Sequence, residues 1–108
     1  MKMSDPTAAE LALLKGTMKD PYSYACHIEL GELYRETGRF PLARQHFEWV
    51  VRFFPDADAT IFRSLAGVYI VLGDTKSARS ILHKGRHIFP DDTALQNAEM
   101  HFDSAGHP

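Results

Sequence analysis

The chain has 108 residues, 44% of them apolar and 24% charged, with a net charge of −2. That length supports one domain around a single modest core and is too short for a two-domain enzyme with a cleft between its halves. No run approaches the roughly 18 apolar residues of a membrane span, and interspersed charge gives no basic stripe, so neither a membrane nor a nucleic acid is expected as a partner.

The first predicted helix covers 6–19, "PTAAELALLKGTMK", in which Leu11, Leu14 and Met18 recur at helical spacing along one face. The opening "MKMSDP" holds one lysine, an acid and a proline, and the apolar stretch after it ends in "KGTMKD" with no small-residue cleavage site, so a cytoplasmic location is expected. The second helix, 22–37, carries Cys26, the single cysteine, which fits a reducing compartment and reads as a small packed residue. Cys26 and His27 are adjacent and point about 100° apart, so they cannot form an activated nucleophile and base. Gly31 in mid-helix costs about 1 kcal/mol relative to alanine, which calls for close approach of a facing helix. Glu32 and Glu36 interleave with Arg35 and Arg39, as on a salt-bridged surface, and Gly38 suits the left-handed residue that ends a helix.

The third helix, 40–53, has Pro41 in its first turn and stops before Pro55. Trp49 and Phe53 lie one turn apart on it, either as an exposed aromatic patch or with the tryptophan folded against its own helix. In the fourth, 58–72, Ile70 and Val71 are apolar where a solvated helix would be polar, Gly67 gives up a side chain in mid-helix, and Gly73 ends it. The fifth, 75–88, is capped by Asp74 and ended by Pro90. His83 and His87 share a face there, but zinc needs a third and fourth ligand, and no spacing supplies them, so the pair reads as solvated and no metal is expected. The last helix, 93–103, can be capped by Asp91 or Asp92 and fits either the first half of a further repeat or a solvating terminal helix. No phosphate loop, nucleophile elbow or paired carboxylates on a rigid strand occurs, so neither an enzyme nor a cofactor is expected.

Shifting the sequence by 35 residues aligns Leu30 with Leu65, Tyr34 with Tyr69, Gly38 with Gly73, Ala43 with Ala78, Arg44 with Arg79, and Phe54-Pro55-Asp56 with Phe89-Pro90-Asp91. A shift of 69 aligns Ala9, Leu13, Lys15, Gly16 and Pro21 with Ala78, Leu82, Lys84, Gly85 and Pro90. Periods in the mid-thirties mark helical repeats whose units cannot bury their apolar faces alone. Leu30, Gly31, Tyr34, Ala43, Phe47 and Pro55 stand at signature spacing, and Phe62, Leu65, Ala66, Tyr69, Ala78, Leu82, Gly85 and Pro90 follow in the second copy.

In these residues the chain resembles the tetratricopeptide repeat family. The resemblance implies an all-α, right-handed superhelix of about six antiparallel helices in one domain, 1–108. Its parts would be a half-repeat at 6–21, repeats at 24–57 and 59–92, and a capping helix at 93–103. It also implies a protein-interaction module, an adaptor or scaffold, holding a peptide of a partner in a concave groove lined by Ile28, Glu32, Arg35, Glu36, Arg63, Gly67, Ile70 and Val71. The family's clamp for carboxylate-ended chaperone tails uses a lysine and an asparagine, and those positions fall here on Ile28 and Glu32 and on Arg63 and Gly67, of which only Arg63 is cationic. A second reading is self-association into a homo-oligomer, because a half-repeat leaves Leu11, Leu14 and Met18 without a first helix of their own, with Trp49 as a further anchor. A small bacterial secretion chaperone of the same repeat class also fits the size and helix count.

Overall fold

Capping side chains set where four of the helices begin. The structure is a computed structural model that describes residues 6–105, and its order is α1 (Pro6–Lys19), α2 (Tyr24–Glu36), α3 (Phe40–Phe53), α4 (Ala59–Val71), α5 (Thr75–Ile88) and α6 (Thr93–Ala105). Ser23 accepts from the Cys26 N–H, Asp58 from Thr60, Asp74 from Ser77 and Asp92 from Leu95, each satisfying an amide that the first turn leaves unpaired. These caps place two helix starts within two residues of the expected ones. α2 starts at Tyr24, since Ser23 caps it and Tyr22 belongs to the turn, and α4 starts at Ala59 because Asp58 is extended and caps.

The ends are equally legible. Gly38 and Gly73 have φ of 78° and 81°. Arg39 N–H donates to the Tyr34 carbonyl and Asp74 N–H to that of Tyr69, while the two glycine amides reach Arg35 and Ile70. Both turns are therefore Schellman motifs, which require the left-handed conformation that glycine adopts freely. α3 and α5 end two residues before Pro55 and Pro90.

Consecutive helices pack against each other, and α4 also touches α2 and α6, whereas α1, α3 and α5 make no contact among themselves. Two layers result, a continuous row of α2, α4 and α6 and a spaced row of α1, α3 and α5. The core lies between them and includes Leu30, Tyr34, Ala43, Phe47, Val50, Ile61, Phe62, Leu65, Val68, Ala78, Leu82 and Leu95.

Each full helical pair closes on one glycine. A Cβ at Gly31 would lie 2.5 Å from the Phe47 ring, so α2 and α3 approach as the sequence requires of that residue. In the next pair the roles reverse: the glycine, Gly85, is on α5, and Phe62 of α4 would stand 2.8 Å from its Cβ. Gly16 admits Cys26 in the same way where α1 meets α2. Tyrosine hydroxyls add polar bolts between helices. Tyr34 donates to Glu10 at 2.7 Å, Arg39 bonds the other oxygen of that carboxylate at 2.9 Å, and Tyr69 donates to Glu48.

Candidate functional site

A groove of about 450 Å³ runs between α4 and α6. Arg63, Ala66, Gly67 and Ile70 form one wall, because residues three, four and seven apart share a helix face. Ala98, His101 and Phe102 form the other, and Leu82 of α5 lies beneath. A side chain at Gly67 would meet nothing within 4 Å, so the groove is open at its middle. Ile70 is 47% exposed despite its apolar chemistry. Arg63 makes no hydrogen bond or ion pair with any described residue, and Phe102 is held in place under the Arg79 guanidinium, 5.1 Å from its ring centre.

The structure thus brings together Arg63, Gly67 and Ile70 of the residues that the sequence singled out. Val71 is exposed beside them but does not line the groove. The first-repeat candidates lie elsewhere, on α2. Ile28 is half-buried against the core. Glu32 is already occupied, accepting from Arg35 Nε at 2.9 Å and from Ser64 Oγ of α4 at 3.1 Å, and Glu36 is exposed at the surface. Sequence reasoning missed the whole α6 wall. Leu95, Ala98 and Phe102 in "TALQNAEMHF" repeat at helical spacing, and that stripe was the available signal.

The second group of candidates divides. On α1, Leu11 is 55% and Met18 83% exposed, with Leu14 less so, which leaves an uncovered apolar face. Trp49 is half-buried: it stacks across the helix pair on His27, ring centres 3.8 Å apart, and also packs on Phe53 of its own helix at 5.3 Å and on Phe54 at 5.6 Å. Phe53 alone projects from that region of α3. His83 and His87 are exposed, and His83 Nδ1 pairs with Glu99 of α6 at 3.0 Å, where Arg86 takes the other oxygen at 2.9 Å. Among the described residues no three potential metal ligands converge.

No protein-family model and no curated protein sequence matches this chain. No helix among the described residues is long and apolar enough to cross a membrane.

Proposed function

We propose that the chain is a tetratricopeptide-type interaction module, an adaptor or scaffold that holds a short, mainly apolar peptide segment of a partner between α4 and α6. One observation carries this reading: an apolar groove whose middle is left open by Gly67, a residue that costs about 1 kcal/mol in mid-helix and packs against nothing. The 35-residue repeat, the paired Schellman turns and the layered order of the helices support the family likeness. So small a groove supports affinity near the micromolar range.

Panning a random peptide library on the whole chain tests it. Selected peptides should be rich in apolar side chains, and their binding should vanish in Gly67→Gln, which fills the groove, and weaken about tenfold or more in Ile70→Asp, with helical content unchanged. Peptides that bind both variants as well as the parent would remove the groove from the reading.

The uncovered face of α1 favours a second reading, self-association through Leu11, Leu14 and Met18, because contiguous exposed apolar side chains mark contact surfaces.

A further inference from the structure

The first helical pair has a titratable seam that the second pair lacks. His27 Nε2 lies 3.0 Å from the Pro21 carbonyl oxygen, and its Nδ1 lies 3.0 Å from Nδ1 of His46 on α3. A carbonyl only accepts, so Nε2 of His27 carries the hydrogen. The neutral ring then presents a bare Nδ1, and His46 must donate to it from its own Nδ1. A hydrogen-bond relay therefore runs from α3 through His27 to the turn between α1 and α2, with Trp49 stacked on the His27 ring.

One proton can be held at this contact, since an imidazolium N–H still meets one bare nitrogen. A second proton leaves two N–H groups and two positive charges facing each other at 3.0 Å. Burial, and then the neighbouring His27, hold His46 below the ordinary 6.5. No surrounding group among the described residues bonds either ring as a counter-charge. From α1, Glu10 is committed to Tyr34 and Arg39; in the turn, the Asp20 carboxylate accepts from the Tyr22 N–H. On α2, Tyr34 faces His46 with ring centres 5.5 Å apart, and Cys26 turns to Gly16; from α4, Tyr69 is bonded to Glu48 of α3.

The repeat supplies an internal control. Thirty-five residues on, the positions of His27 and His46 are held by Phe62 and Ile81. Phe62 is buried against Gly85 and edge-on to Phe89, and Ile81 packs on the core, so the equivalent seam of α4 and α5 has nothing to protonate.

We propose that the His27–His46 contact is an acid-released latch: double protonation parts α2 from α3 beside Trp49 and frees the turn at Pro21, while the α4–α5 pair stays assembled. This holds whether or not the groove binds a peptide.

Nitrogen-15 NMR of the whole chain at neutral pH should find His27 protonated on Nε2 and His46 on Nδ1, with His46 gaining its second ring proton only below the ordinary imidazole range. As pH falls below the ordinary imidazole value of 6.5, the emission of Trp49 should shift to the red. Amide protection in α2 and α3 should fall by up to about tenfold per pH unit for each extra proton taken up, with α4 and α5 unchanged. His46→Gln keeps a donor for His27 but cannot titrate, and His27→Phe installs the ring found at the equivalent position; both should abolish the red shift. The same shift in both variants, or flat emission in the parent while both imidazoles titrate, overturns the latch. If either variant loses helicity at neutral pH, the parent's tautomers decide, and His27 protonated on Nδ1 overturns it equally.

Discussion

Two glycines decide how closely the helices of each pair approach, and they do so from opposite sides. Gly31 on α2 receives the Phe47 ring, and Gly85 on α5 receives Phe62. Any side chain at either position must displace an aromatic ring that the core fixes, so Gly31→Leu should cost at least about 1–3 kcal/mol in a denaturant titration. His83→Ala removes an exposed imidazole whose partner Glu99 keeps Arg86, and should stay within about 0.5 kcal/mol of the parent. Similar losses at the two positions would show that Gly31 is not where the helices meet. Gly67, with empty space above it, is the opposite kind of glycine, and its substitution should act on binding and leave the fold alone.

At the scale of the helix, α1 is the least secured, since it packs on α2 alone. Its polar anchor is Glu10, whose carboxyl is held below the ordinary range by the Tyr34 hydroxyl and then by Arg39. Burial, and then that same carboxylate, push the Tyr34 phenol up to about 12. A lowered carboxyl binds its proton less readily in the folded chain than in the unfolded one, so its contribution is complete above the ordinary carboxylate pKa and is lost as pH falls through the folded value. Glu10→Gln should therefore loosen α1 at neutral pH and remove that part of the acid dependence, read as hydrogen exchange of α1 amides against pH. An unchanged profile would assign the docking of α1 to Leu13 and Gly16 alone.

All six helices could be read in the sequence because their punctuation is local: Asp74 and Asp92 cap, Gly38 and Gly73 turn, and Pro55 and Pro90 stop. The α4 wall of the groove was legible through Gly67 only by way of the repeat register, which the resemblance supplies. The α6 wall was not, because an apolar stripe such as Leu95, Ala98 and Phe102 says that a helix is covered without saying by what. Trp49 is a similar case, since its stacking partner is set by the crossing of α2 and α3 and not by its own neighbours in the chain.

For the whole molecule, the question is which surface another chain meets. A groove that serves a partner expects a sedimentation coefficient independent of concentration, whereas an α1 interface expects it to rise. If it rises, and falls back in Met18→Asp and Leu11→Asp, the exposed face of α1 is the working surface and the second reading replaces the first. The layered order has a mechanical consequence as well. Because α2, α4 and α6 touch while α1, α3 and α5 do not, the array behaves as a strip with a continuous lining and a slotted back. Because α1 is held by α2 alone while α6 is held by both α5 and α4, tension applied at the ends should detach α1 first.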